Sequence, residues 1–123
     1  MKTLSAGELQ RIKLLKYLNM DKRNALFLID EPSFGLHDHD IGMVKNLVDK
    51  IKGNNNTVVA AEHNINLIAH ADYILELGHE GGNRGGYLVF QGSVQDIKKS
   101  PESVTGAILK KNRENTKKNK RNT

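Results

Sequence analysis

The chain has 123 residues, 37% of them apolar, a net charge of +5 and no cysteine. This length fits one small domain, and the lack of cysteine excludes disulfides and cysteine-ligated zinc sites, which favours a reducing, cytoplasmic setting. No apolar stretch approaches the roughly 20 residues that a membrane-spanning helix needs.

The positive charge is concentrated at the C-terminal end of the sequence. From residue 110 onwards seven Lys or Arg accompany one acidic residue, Glu114, whereas the rest of the chain holds twelve basic and thirteen acidic side chains. No apolar residue follows Leu109, so residues 110 to 123 are predicted to form a disordered basic tail. Such a tail either attracts nucleic acid or an acidic partner, or it only keeps the protein soluble.

The first predicted helix begins at a capping-box pattern, Ser5 followed by Glu8, and runs to about Leu18. Apolar residues recur within it at helical spacing. A polar turn leads to a strand at residues 25 to 29. Its uninterrupted apolar run is typical of a strand buried in the middle of a parallel sheet.

Helices and strands continue to alternate downstream. A loop, residues 33 to 37, precedes a helix that ends at Gly53 and has a core stripe at Ile41, Val44, Leu47, Val48 and Ile51. The elements predicted after it are a strand at 57 to 61, a short helix at 65 to 69, a strand at 73 to 77, a glycine-rich turn at 78 to 86, a strand at 87 to 91, a short helix at 94 to 98 and an apolar turn at 104 to 109. This order predicts an α/β fold with a mainly parallel sheet flanked by helices.

Charged and polar residues follow two of the predicted strands. Asp30 and Glu31 come directly after the first strand, and His63 comes after the second. Open α/β sheets place ligand chemistry at the carboxyl ends of their strands. There Asp30 suits Mg²⁺, Glu31 suits activation of an attacking water, and His63 suits hydrogen bonding to a terminal phosphate. Taken alone, each of them is more often an ordinary turn residue than a functional one.

The start of the first helix is a second candidate phosphate contact. A helix N-terminus attracts phosphate, Gly7 lets the backbone approach closely, and Ser5 offers a hydroxyl. The 123 residues contain no G-x-x-x-x-G-K-[ST] sequence, the loop that cradles phosphates in P-loop proteins. We therefore expect another stretch of polypeptide to supply that loop.

Taken together, these motifs resemble the second half of an ABC-type ATPase module. Its parts are LSAGE (4 to 8), LFLIDEP (26 to 32), SFGLH (33 to 37) and EH (62 to 63). Longer stretches are similar to the UvrA family of excinuclease ATPases, closest to the end of its second, C-terminal ATPase module. They are TLSAGELQRIKLL (3 to 15), DEPSFGLH (30 to 37), NTVVAAEHN (56 to 64), ADYILELGHEGGNRGG (71 to 86) and Thr105-Gly106. Two positions depart from that family's pattern, Ala6 where glycine is typical and His79 where proline is usual.

The resemblance covers about residues 2 to 110 and implies a partial P-loop NTPase fold, without its P-loop half, over residues 1 to 109. It implies that ATP and Mg²⁺ bind in composite sites formed by two modules. The implied roles are nucleotide contact for Ser5, Gly7 and Glu8, metal binding for Asp30, catalysis for Glu31 and His63, and a D-loop at Ser33, Gly35, Leu36 and His37.

The resemblance also implies a function in bacterial nucleotide excision repair, as part of the ATPase that recognises damage. The implied partners are a P-loop-carrying part of the ATPase upstream of Met1, damaged double-stranded DNA, the excinuclease component UvrB, and a second copy in a dimer. No membrane partner is implied.

Other interpretations of the same motifs remain open. The chain could belong to another ABC-type ATPase, either a resistance paralogue of the same family or a transporter motor. Transporter motors usually have a different sequence where this chain has Gly35-Leu36-His37. A non-enzymatic, truncated product that binds DNA or a partner through its tail is the third interpretation. The ATPase hypotheses require that Glu31 and His63 share one edge of the sheet.

Overall fold

The structure, a computed structural model, describes residues 3 to 78 and 85 to 121, with residues 118 to 121 described through their backbone. It divides into two compact units, Met1–Leu67 and Ile68–Thr123. Most of the predicted glycine-rich turn, together with His79, lies outside the described residues.

The first unit alternates helices and strands as the sequence predicts. Its elements are α1 (Ala6–Leu18), β1 (Leu26–Asp30), a 3₁₀ turn (Asp38–Asp40), α2 (Ile41–Gly53) and β2 (Thr57–Ala61), and α3 (Ile65–Ile68) lies across the division between the units. β1 and β2 pair in parallel, with Leu26 opposite Thr57 and Asp30 opposite Ala61. This parallel pair with its helices confirms the α/β class.

The core of this unit lies between α2, α1 and one face of β1. The predicted stripe of α2 is confirmed, because Ile41, Val44, Leu47 and Ile51 are buried and Val48 packs against them. Leu14 of α1 joins this cluster, as do Phe27 and Ile29 of β1. Burial of a side chain of this kind contributes about 1.5–3 kcal/mol.

The prediction that β1 is buried on both faces is wrong for this chain. Leu26 and Leu28 are 60% and 68% exposed, whereas their neighbours Phe27 and Ile29 point into the core. Side chains along a strand alternate between its faces, and no other described element of the first unit covers the second face. In α1, Leu9, Ile12 and Leu15 are exposed, while the buried side of the helix carries Gln10 and Leu14.

The second unit is built on an antiparallel pair of strands. Its elements are β3 (Tyr73–Leu77), β4 (Leu88–Ser93), α4 (Val94–Ile97) and α5 (Val104–Arg121). The alternation of elements predicts that β3 extends the parallel sheet, but in the structure β3 pairs antiparallel with β4. The connection from Leu77 to Leu88 is shorter than the dozen or more residues that a parallel crossover needs, and short connections join antiparallel strands.

The C-terminal helix differs from the disordered tail that composition predicts. α5 continues through residues 110 to 121, and its described side chains from Lys110 to Lys117 are exposed. The start of α5 is anchored, since Ser103 and the Thr105 N–H donate hydrogen bonds to Glu76 of β3 and Leu109 is buried. The lack of apolar residues predicts only that this segment forms no core, while Lys, Arg and Glu favour helix once it has begun.

Within residues 3 to 78 and 85 to 121, no helix is both long and apolar enough to cross a bilayer.

Candidate functional site

The carboxyl ends of β1 and β2 lie side by side in the first unit. Asp30, the last residue of β1, is in register with Ala61, the last residue of β2. The pairing extends one step further, because the Glu31 N–H donates a 2.8 Å hydrogen bond to the Ala61 carbonyl. Residues that follow these strands therefore leave the sheet at the same edge.

The structure brings Glu31 and His63 together at this edge. His63 Nδ1 lies 3.7 Å from Glu31 Oε1. Both side chains reach solvent, with the imidazole 75% and the carboxylate 46% exposed. The shared edge that the sequence hypothesis requires is therefore present, and the chemical roles of the two residues stay a prediction.

The backbone of Glu31 is fixed in an unusual conformation. Its φ is +44°, in the left-handed region that side-chain-bearing residues seldom adopt. The Glu31 carbonyl accepts hydrogen bonds from the Phe34 N–H at 2.9 Å and from Gln10 Nε2 at 3.1 Å. Such a conformation costs about 1–2 kcal/mol and clusters at functional sites. The surrounding hydrogen bonds thus hold a carboxylate that faces solvent.

Gln10 is a residue of this site that the motif analysis missed. Its side chain is buried on the inner side of α1, where it donates to the carbonyls of Glu31 and Pro32. It lies four residues before the buried Leu14 and so on the same face of the helix. The sequence offered no signal for it, because the regularly spaced Leu9, Ile12 and Leu15 mark a different face of α1, which is exposed in the structure.

Glu62, which the EH motif contains without assigning it a role, is the most enclosed carboxylate of the site. Its side chain is 5% exposed. Oε1 accepts hydrogen bonds from the Ser33 hydroxyl at 2.8 Å, from the His63 N–H at 2.8 Å and from the Asn64 N–H at 2.9 Å. Oε2 accepts the Ser33 N–H at 3.0 Å. Burial works against ionisation, but the hydrogen bonds from Asn64, Ser33 and His63 outweigh it and lower the pKa of Glu62 below its ordinary value.

The start of α1 is a complete capping box, as the sequence predicts. The Ser5 hydroxyl accepts the Glu8 N–H at 3.2 Å, and the Ser5 N–H donates to the Glu8 carboxylate at 2.7 Å. The Ser5 backbone hydrogen bond, reinforced by the Ser5 side chain, lowers the pKa of Glu8. The helix therefore begins at a fixed point with its first turn exposed.

Gly7 meets the loop that follows Glu31. A Cβ added at Gly7 would overlap the Gly35 carbonyl oxygen, and one added at Gly35 would lie 2.9 Å from the Gly7 nitrogen. Gly35 also has a φ of +70°, and the Leu36 N–H closes the turn onto the Ser33 carbonyl at 3.0 Å. Two glycines are therefore required where the start of α1 touches this loop.

An ion pair with α1 lies just beyond the C-terminal end of this loop. His37 stacks on His39 with ring centroids 5.6 Å apart, and the next residue, Asp40, binds Arg11 of α1 at 2.6 Å. This hydrogen bond to Arg11 lowers the pKa of Asp40. Residues 33 to 37 therefore lie between the sheet edge that carries Glu31 and two contacts with α1, one at Gly7 and one between Asp40 and Arg11.

The carboxylates at the sheet edge suit a metal that is shared with phosphate. Within the described ranges no three His, Cys, Asp or Glu side chains converge into an all-protein metal cage. Mg²⁺ needs no such cage, because it takes one or two carboxylates and completes its shell with phosphate oxygens and water. Asp30, exposed at the end of β1, supplies a carboxylate of this kind.

Comparisons with known proteins identify the family. The chain is 46% identical over 107 residues to the UvrABC system protein A of Aquifex aeolicus and 44% identical over 110 residues to that of Xanthomonas campestris. These matches cover 87% and 89% of this chain. This stretch of sequence belongs to the UvrA family. No protein-family model matches it.

A solved structure of the family shares the fold. The crystal structure of UvrA2 from Deinococcus radiodurans superposes with a TM-score of 0.79 at 36% identity and covers 87% of this chain. The chain spans only a small part of its relatives, 12% of the Aquifex protein and 13% of the UvrA2 chain.

Acid is expected to weaken the fold through Glu62. Because its folded-state pKa is lowered, the ionised carboxylate stabilises the fold above the unfolded-state pKa, and this contribution is lost as the pH falls through the folded-state value. Glu62→Gln leaves at least one donor unpaired, which costs about 1–3 kcal/mol near neutral pH.

Urea unfolding followed by amide NMR signals of residues 3 to 67 measures this effect. The difference in unfolding free energy between wild type and Glu62→Gln should be constant at neutral pH and shrink below about pH 4.3, the ordinary glutamate pKa. Glu8 and Asp40 are present in both proteins, so their contributions cancel in this difference of unfolding free energies. A difference that widens in acid would contradict this assignment.

Proposed function

We propose that this chain is the C-terminal part of a DNA-damage-recognition ATPase of nucleotide excision repair, and that it supplies half of a composite ATP site. The observation that carries the proposal is the 3.7 Å approach of His63 to Glu31 at the carboxyl ends of two paired parallel strands. Membership of the UvrA family supports the choice of reaction.

In this proposal Glu31 acts on the water that attacks the terminal phosphate. Its backbone is held by Ala61, Gln10 and Phe34 while its carboxylate faces solvent, so the oxygen can orient the water and accept its proton. His63, beside it, donates a hydrogen bond to the same phosphate. General-base catalysis of this kind contributes roughly 10²- to 10⁴-fold in rate.

Asp30 would hold Mg²⁺ together with the phosphates. When bound, the metal ion would neutralise charge on the phosphate oxygens during transfer. Asp30 follows directly from a paired strand, which fixes the position of its backbone.

The start of α1 would serve a different nucleotide, bound on an opposing module. Ser5, Gly7 and Glu8 lie at the exposed start of the helix, where the Gly7 N–H and the Ser5 hydroxyl proton suit a phosphate, while the N–H groups of Ser5 and Glu8 belong to the capping box. The contact between Gly7 and Gly35 would let residues 33 to 37 carry the state of one site to the other.

Damaged DNA and the excinuclease component UvrB are the proposed macromolecular partners of the whole protein, which would act as a dimer. The relatives' printed name, UvrABC system protein A, supports a multi-component system. α5 adds exposed Lys110, Lys111, Arg113 and Lys117. Such a row of cations suits DNA phosphates and would bind them in a salt-dependent way.

A chimera tests the function. In it the 107 matching residues of the Aquifex aeolicus protein are replaced by those of this chain. The chimera is expected to hydrolyse ATP with Mg²⁺, whereas the 123-residue chain, which has no G-x-x-x-x-G-K-[ST] sequence, is expected to be inactive. Phosphate release measured for both proteins checks this.

The parent Aquifex protein is the positive control. Turnover by the isolated chain would remove the need for a P-loop from elsewhere. A folded chimera that binds ATP without hydrolysing it would refute the proposed role of the segment.

A further inference from the structure

The buried Glu62 carboxylate joins the two loops that carry the proposed chemistry. One loop begins at Ser33, two residues after Glu31, and the other holds His63 and Asn64. Glu62 accepts two hydrogen bonds from Ser33 and one from each backbone N–H of His63 and Asn64. A single side chain therefore sets the spacing between the two loops.

The charge on Glu62 is held by uncharged donors. All four hydrogen bonds come from backbone N–H groups or the Ser33 hydroxyl, and each ionised acceptor strengthens its bonds. Glutamine cannot reproduce this arrangement, because its amide nitrogen would face one of these donors. Aspartate is one methylene shorter and cannot reach both loops in the same way.

The spacing between the loops sets the distance between the two proposed catalytic side chains. The backbone N–H of His63 donates a hydrogen bond to Glu62. The backbone of Glu31 is held separately, because its carbonyl accepts hydrogen bonds from Gln10 and Phe34. The 3.7 Å distance between the imidazole and the Glu31 carboxylate thus depends on Glu62 keeping the loops in place.

We propose that Glu62 is a positioning residue for ATP hydrolysis: it holds His63 in reach of Glu31 and couples that pair to Ser33 at the start of the D-loop. This inference rests on the proposed function and adds a residue that none of the recognised motifs assigns a role. Misplacing a catalytic group by about 1 Å can cost on the order of 100-fold in rate.

The first test measures geometry in the 123-residue chain. Amide hydrogen exchange should show the N–H groups of Ser33, His63 and Asn64 protected in the wild type and less protected in Glu62→Gln. The amides of α2, which lie outside this network, should lose no more protection than the fall in unfolding free energy measured in urea accounts for. An equal loss of protection at these three amides and across α2 would mean that Glu62 acts on the fold as a whole, which would overturn the proposal.

The second test measures turnover in the chimera. Glu62→Gln is expected to lower kcat about tenfold to a hundredfold while the KM for ATP stays within about twofold. Ser33→Ala removes only the hydroxyl contact and should have a smaller effect of the same kind. Because both act through one network, the double variant should be little worse than Glu62→Gln alone. Glu102→Gln, an exposed glutamate elsewhere in the chain, is the matched control.

The outcomes separate this proposal from the function on which it rests. If Glu31→Gln stops turnover while Glu62→Gln and Ser33→Ala match the control, the positioning role is refuted and the ATPase role stands. If kcat per folded molecule is unchanged in Glu62→Gln, its role is only structural and the proposal fails. If Glu31→Gln leaves turnover intact, the proposed function itself fails.

Discussion

Replacing Glu31 with glutamine is expected to lower the kcat of the chimera by roughly 10²- to 10⁴-fold, because the amide cannot accept a proton from the attacking water. ATP binding should persist, since the change keeps the shape of the side chain. The backbone hydrogen bonds of Glu31 to Ala61, Gln10 and Phe34 are also kept. Single-turnover phosphate release, with nucleotide binding measured separately, checks both parts.

A second substitution at the same position separates catalysis from folding. Glycine adopts the observed φ of +44° without the usual steric cost, so Glu31→Gly should leave the unfolding free energy unchanged or raise it by up to about 1 kcal/mol. The same variant should be as inactive as Glu31→Gln. Full turnover in either variant would show that Glu31 is an ordinary turn residue.

A methyl group at Gly7 is expected to destabilise the first unit by about 1–3 kcal/mol, the usual cost of overpacking. It would overlap the Gly35 carbonyl oxygen, which belongs to backbone and cannot rotate away as a flexible side chain could. The start of α1 and residues 33 to 37 would have to separate, so turnover of the chimera should also fall. Urea unfolding of the 123-residue chain gives the stability change.

Gly42 provides the matched control for this substitution. It lies inside α2, and a Cβ added there meets nothing within 4 Å. Gly42→Ala, at the second position of α2, should therefore raise stability by up to about 0.8–1.0 kcal/mol, the difference in propensity that applies in a helix interior. Equal responses at the two glycines would show that the contact between Gly7 and Gly35 does not constrain the fold.

Local sequence patterns predicted the helices and strands of the first unit correctly. They predicted the burial and the pairing of the strands only in part. The capping box at Ser5 and Glu8 and the stripe on α2 are set by neighbours a few residues apart, so they could be predicted. Burial of Leu26 and Leu28 could not, because it depends on whether another layer covers that face of β1. The partner of β3 likewise depends on the path of the chain after the strand, which periodicity does not encode.

The candidate site shows the same division. Strand ends mark Asp30, Glu31 and His63 because the carboxyl ends of parallel strands share an edge. Glu62 and Gln10 are not marked in this way, since their importance lies in backbone groups that they reach 20 or more residues away. Long-range hydrogen bonds of this kind have no sequence spacing by which to recognise them.

Residue types at short, fixed spacings were enough to establish the α/β alternation, the capped start of α1, the order of the candidate motifs and the family. The positive φ of Glu31 beside His63, the contact between two glycines and the buried carboxylate that links the loops could be seen only in the folded chain. These features arise where segments distant in the chain pack together and must satisfy each other's polar groups.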